Sequence, residues 1–116
     1  MSSIRNRVTL IGRLGAKPEV KRFDDGKLKA SFSLATNDYF RNQNGEKVEE
    51  TTWHLLIAWG KSAEIIEKYT DKGSEIAVDG KLTNRSYTDK DGVKKYITEI
   101  LVDNVALLGD KVAVNP

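Results

Sequence analysis

Both tryptophans of the chain, Trp53 and Trp59, fall in the stretch Thr51 to Lys61, with Lys61 two positions beyond the second ring. The stretch reads as a β-strand, and because side chains alternate across a strand, the even spacing puts both rings on one face. At about 3.3 Å per residue they stand roughly 20 Å apart, a span suited to an extended ligand with several flat groups. Single-stranded nucleic acid is such a ligand, since a ring accepts the π-face of any base while Lys and Arg track the phosphates. The competing reading buries the rings in a core, where large aromatics usually go. Hydrophobicity along the strand favours burial, because Trp53, Leu55, Ile57 and Trp59 make the more apolar face against His54, Leu56 and Ala58.

Other residues bear on the choice. Tyr87 falls in a polar register with Arg85, and Phe40 lies beside Arg41 in a polar segment; a core role fits both poorly. Arg7 and Arg13 occupy the wet side of the first strand, Lys61 follows Trp59, and Lys72 closes the end of a helix. Each cation alone reads as a solvated charge, but outward aromatics interleaved with cations are the pattern that single strands need.

Catalytic readings are weaker. Asp24-Asp25, Glu49-Glu50 and Asp89-Lys90-Asp91 offer paired carboxylates, yet all fall at turns or loops, where Asp is common for conformational reasons. His54 sits in mid-strand without a nucleophile beside it in sequence and reads as a hydrogen-bonded core or subunit-interface residue. Gly60-Lys61-Ser62 matches the end of a Walker A loop, but that motif needs glycine at position 55, where Leu55 stands. Gly12-Arg13-Leu14-Gly15 has the letters of a KH-domain loop but ends a strand. With no cysteine and one histidine, thiolate and histidine-rich metal sites are excluded. The expectation is no enzyme, no cofactor and no metal.

The elements must position these side chains within 116 residues, enough for one domain with a core. At 39% hydrophobic and 31% charged the chain is globular rather than membrane-spanning, and its longest apolar run is the five residues Leu55 to Trp59. A net charge of +2 says little about a polyanion partner, so any basic surface depends on sorting charges between faces. No signal-peptide pattern is seen and a cytoplasmic location is the default.

Alternation predicts a strand from Arg7 to Leu14, and a second with Leu28, Ala30, Phe32 and Leu34 inward. The segment Asn37 to Glu50 reads as a long exposed hairpin loop around Asn44-Gly45. After the tryptophan strand come a short helix from Lys61 to Tyr69, which Ser62 could cap, a strand from Ser74 to about Tyr87, a turn at Asp91-Gly92, and a strand from Lys94 to Val105. Three strands, one short helix and two strands is the element order of a five-stranded Greek-key barrel, the OB-fold. The expected fold is therefore all-β, with the helix between strands 3 and 4 and the domain over residues 1–110.

Val8 to Gly15 followed by Pro18-Glu19-Val20, then Leu34-Ala35-Thr36, Trp53-His54, Gly60-Lys61-Ser62-Ala63-Glu64, Lys72-Gly73-Ser74 and Tyr87-Thr88-Asp89, resembles the bacterial single-stranded DNA-binding protein family. The match runs from about residue 4 to residue 108. The resemblance implies an OB-fold subunit, usually in a homotetramer, that wraps single-stranded DNA during replication, recombination and repair. It implies stacking aromatics at Phe40, Trp53, Trp59 and Tyr87, phosphate contacts at Arg7, Lys61, Lys72 and Arg85, and a subunit contact near His54. Phe40, Trp59 and Tyr87 stand where the family commonly has a different aromatic, and Leu55 and Ser86 where some members have a basic residue. Family members usually continue into a flexible linker and an acidic tip that recruits repair proteins. Residues 111–116 read as a short end without that tip, from a tailless branch of the family or a trimmed chain, so recruitment through a tail is not supported by this sequence. The alternative is an OB-fold interaction module of a replication or primosome assembly; an OB-type nuclease would need a carboxylate cluster with a positioned arginine.

Overall fold

Alternate residues from Leu28 to Leu34 are apolar, and in the computed structural model, which describes residues 4–108, all four of them are buried. They belong to the third of six strands: β1 (Val8–Leu14), β2 (Glu19–Arg22), β3 (Leu28–Arg41), β4 (Lys47–Trp59), β5 (Glu75–Thr88) and β6 (Lys94–Leu107), with α1 (Gly60–Tyr69) between β4 and β5. The sheet order is β1-β5-β6-β4-β3-β2, and a further β1–β3 pairing closes the ring. Five strands thus form the barrel and β2 lies outside it, paired with β3 alone. Discounting β2, the helix separates the third and fourth barrel strands, as the OB order requires.

Closure depends on one small residue. Where β1 reaches β3, a Cβ on Gly12 would lie 2.1 Å from the Ala35 carbonyl oxygen, so only glycine lets the two backbones meet there. The opposite seam is short, with two parallel pairs, Leu56 with Ile100 and Ile57 with Leu101. Leu34, Leu56, Ile76 and Val78 fill the barrel, and α1 adds Ala63 and Ile66 to the same core while packing on β3, β4 and β6.

Three local expectations are corrected. The segment Asn37 to Glu50 is not a loop, since β3 and β4 stay paired out to Arg41 and Lys47. Asn42 makes that possible by organising the whole turn. Its Oδ1 accepts the Asn44 and Glu46 N–H groups at 2.9 and 3.0 Å, and its Nδ2 donates to Glu46 at 3.1 Å. Helix α1 begins at Gly60 with Trp59 as an extended N-cap and no side-chain capping bond, so Ser62 does not cap it. The strand β2 was not expected at all. The second ribbon, β5–β6, turns in the same way as the first, with Asp89 Oδ1 accepting from Asp91 and Val93, both at 2.9 Å. A register shift lies between Asp79 and Gly80, whose partners are Asn104 and Val102; the extra residue, Asp103, is on β6, so alternation along β5 survives. The expected C-terminal end, 111–116, lies outside the described residues. No helix among the described residues is long and apolar enough to cross a membrane.

Candidate nucleic-acid interface

Strand β4 faces the core with Leu56 and Ala58, both fully buried, and faces outward with Trp53 and Trp59, which are 60% and 43% exposed. The burial alternative for the tryptophans is thereby overturned. Its premise failed because β4 pairs residue for residue with β3, Leu56 opposite Phe32 and Ala58 opposite Ala30, and the interior that β3 offers is already filled. Of the two aliphatics between the rings, Leu55 stays half-buried, while Ile57 needs no ligand or neighbouring subunit to shelter it. Ile57 is only 9% exposed within the chain itself, flanked by Ser31 on β3 and Leu101 on β6. By register the same outer surface continues through Leu101 and Glu99 to Thr83, Arg85 and Tyr87 of β5.

Each tryptophan has its own support. At Trp53 the support is a space: a Cβ on Gly15 would lie 2.5 Å from the ring's Cζ3 and 2.8 Å from Cη2, so the ring rests against bare backbone. At Trp59 it is a second ring, Phe23, stacked at 5.8 Å between centroids and 26° between planes. Lys29 Nζ lies 5.8 Å from the Trp59 ring centre. The sequence did not single out Phe23, nor Gly15 as a seat for Trp53; the signal for Phe23 is its parity with Glu19 and Lys21, just before the turn Asp24-Asp25-Gly26.

The expected cations divide into two groups. Arg7 grips Asp79 with Nε and Nη2 at 3.0 and 3.2 Å. Arg85 does the same to Glu99 at 3.1 and 2.9 Å, and Glu99 is a buried carboxylate with a side chain only 7% exposed. That hydrogen bond, together with the attraction of the carboxylate, holds the Arg85 guanidinium above its ordinary pKa. Arg13 donates to the Gly73 carbonyl at 2.9 Å and lies 3.9 Å from Glu75. Lys61, at the start of α1, and Lys72, in the turn after it, have no ion-pair partner among the described residues. The Gly73 N–H donates to the Leu14 carbonyl, which brings this turn to the Gly15 end of β1. Two lysines are therefore available to phosphates, while three arginines are already engaged.

Phe40 and Tyr87 are each 48% exposed, on the ribbons β3–β4 and β5–β6 respectively. In register Phe40 pairs with Val48, five positions from Trp53 and so on the opposite face of the ribbon. Tyr39 has the face of Trp53, is 57% exposed, and carries Lys47 Nζ 4.6 Å from its ring centre. The negative charge of Glu49 and the hydrogen bond to it, 3.3 Å long, push the Tyr39 phenol up. His54 is half-buried with Nε2 3.1 Å from Thr36 Oγ1. No group of three or more metal-ligand side chains occurs among the described residues.

An OB barrel with spaced, exposed aromatics on its outer surface and unpaired lysines at the ends of α1 is the class that fold and site define. Over residues 5–108 the chain matches the single-strand binding protein family, and it belongs to that family. It is 46% identical over 108 residues to the single-stranded DNA-binding protein of Bacteroides thetaiotaomicron, a match covering 91% of this chain and 67% of that one. It is 41% identical over 107 residues to single-stranded DNA-binding protein 1 of Xylella fastidiosa, covering 91% and 79%. A solved structure described as Plasmodium falciparum SSB complex with ssDNA superposes with a TM-score of 0.82 at 33% identity, over 93% of this chain and 97% of that one.

Proposed function

We propose that the chain binds single-stranded DNA without strong sequence preference, by stacking bases on aromatics and holding phosphates with lysines, and so protects single strands in replication, recombination and repair. The observation that carries this reading is the exposure of Trp53 and Trp59 on the outer face of a strand whose other face fills the core. Stacking is indifferent to base identity because every base has a π-face. Trp53 and Trp59 lie on the face of one strand, Tyr87 on the connected ribbon, and Lys61 and Lys72 at the margins. The DNA complex of the Plasmodium falciparum relative supports the same reading. The protein acts without catalysis, as a homotetramer in the cytoplasm; membership of the family supports the assembly, with His54 near a subunit contact.

The test is a titration of intrinsic tryptophan fluorescence with oligothymidylate at low and high salt. Strong quenching that saturates at a definite length, with affinity falling steeply as salt rises, is the expected result. An unchanged signal with no binding at low salt overturns the proposal. Light scattering on the free protein checks the tetramer, and cell fractionation checks the location.

A further inference from the structure

We propose that Phe23, Lys21 and Lys29 complete, with Trp59, a nucleotide subsite at the β2 end of the outer face, where a base stacks on the Phe23–Trp59 pair and the two lysines hold its phosphate. The inference rests on the reading of the chain as a single-strand binder and adds to it a part of the surface, β2 and its turn, that the reading did not use.

The subsite is built rather than incidental. Phe23 opens a turn closed by two backbone bonds, Phe23 N–H to the Lys27 carbonyl and Gly26 N–H to the Phe23 carbonyl, each 2.9 Å, so its ring starts from a fixed backbone. Phe23 is half-buried and Trp59 43% exposed, so the stacked pair still shows ring surface to solvent. An open cleft of about 450 Å³ lies beside it, lined in part by both rings and by Asp24 and Asp25. A second cleft, about 500 Å³, is lined by Lys21 and Lys29, with Ser31, Val20 and a single carboxylate, Glu19, at its side.

Register explains why the lysines sit there. Lys21 on β2 is opposite Lys29 on β3, and Lys29 is opposite Trp59 on β4, which makes one row across three strands. Lys21 Nζ lies 5.2 Å from the Phe23 ring centre and Lys29 Nζ 5.8 Å from that of Trp59. Neither ammonium has a carboxylate partner among the described residues. Both rest on ring faces in an exposed setting, where a cation–π contact is weak, and a base stacks on such a face more strongly. An arriving base displaces the ammoniums, and the phosphate it brings gives them a better partner.

The carboxylates set the orientation. Asp25 is occupied by the Lys27 N–H at 3.1 Å, while Asp24 has no partner among the described residues and repels a phosphate. The sugar-phosphate backbone therefore runs on the side of Lys21 and Lys29, and the edge of the base points toward Asp24.

Oligothymidylate binding to wild type, Phe23→Leu, Phe23→Tyr and the double variant Lys21→Gln/Lys29→Gln tests the subsite, with melting temperatures measured alongside. Leucine keeps apolar bulk against Trp59 but has no π-face. Phe23→Leu should lose about fivefold or more in affinity with little change in melting temperature, and Phe23→Tyr should bind like wild type. The double lysine variant should flatten the plot of log affinity against log salt by about 0.7, the slope of one phosphate contact. If wild type binds and Phe23→Leu binds equally well, or the double lysine variant keeps the full salt slope, the subsite is wrong and the proposed function stands. If wild type fails to bind, both fall.

Discussion

Gly15→Ala should separate binding from stability at a single methyl group. The added Cβ would stand 2.5 Å from Trp53 Cζ3, 2.8 Å from Cη2 and 3.1 Å from Ser33 Oγ. Carbon atoms in contact prefer about 3.5–4.0 Å, so the indole must retreat by about 1 Å. Nothing blocks that retreat, because Trp53 is 60% exposed and the obstructing atoms are the far end of its own side chain. Gly15 has no left-handed φ, so alanine brings no backbone strain. Stability should change by less than about 1 kcal/mol, which shifts melting by less than about 4–8 °C for a domain of this size. Binding should suffer more. A stacking platform contributes about 1–3 kcal/mol per base, and a displaced ring loses part of it, about 1 kcal/mol or roughly fivefold in affinity. Fluorescence titration of wild type, Gly15→Ala, Trp53→Ala and the double variant forms a closed cycle, in which Gly15→Ala should be nearly silent once the indole is gone. An equal loss in both backgrounds would refute the idea that Gly15 acts through Trp53.

Other outcomes follow from the same geometry. Trp53→Ala should weaken oligothymidylate binding tenfold or more while leaving the melting temperature near wild type, and Trp53→Phe should be milder; unfolding of Trp53→Ala would show a core role. Gly12→Ala drives its methyl against the Ala35 carbonyl at 2.1 Å, a backbone atom that cannot swing away, so it should cost about 1–3 kcal/mol in denaturant unfolding. Arg85→Met strands the buried Glu99 carboxylate. With Arg85 itself 56% exposed, denaturant unfolding should show a loss of stability smaller than for a wholly buried pair, and adding Glu99→Gln should recover most of it. Glu49→Gln should bring the Tyr39 phenol back down toward about 10 in a spectroscopic titration. Since the folded pKa is raised, the Glu49 contact adds stability that is present below the unfolded pKa and lost as pH rises through the folded one. Unfolding at neutral pH should therefore register no titration of this phenol.

Local alternation made much of the barrel readable. Val8, Leu10 and Leu14 in β1 and Leu28 to Leu34 in β3 announce their inward faces, and Asp91-Gly92 announces its turn. The phase of β4 was misleading, because its outward face carries two rings and two aliphatics, and only its partner strand reveals which side is already full. Short β2 has one apolar residue in four, Val20, too little pattern to read, and with it went Phe23 and Lys21. The engagement of the arginines was beyond local reading as well. Arg7 meets Asp79 across 72 positions, a pairing created by β1 lying beside β5. The positions expected to stack were legible as residue types, yet the side that each one faces on its ribbon was set by register and not by composition.

The two ribbons have a mechanical consequence. They carry the chain to a radius of gyration of 16.4 Å, against about 13 Å for a compact domain of this length. Trp53 and Trp59 stand on barrel strands braced by the core, whereas Phe40 and Tyr87 ride on arms held mainly by strand pairing and an Asn42 or Asp89 hinge pin at each tip. The molecule thus combines a stiff saddle with two springs. On the proposed reading, a bound strand would meet fixed spacing along β4 and adjustable reach at the arms, and so could take up slack where its own path bends. Amide hydrogen exchange should be graded to match, slow beneath the tryptophans and faster toward each tip.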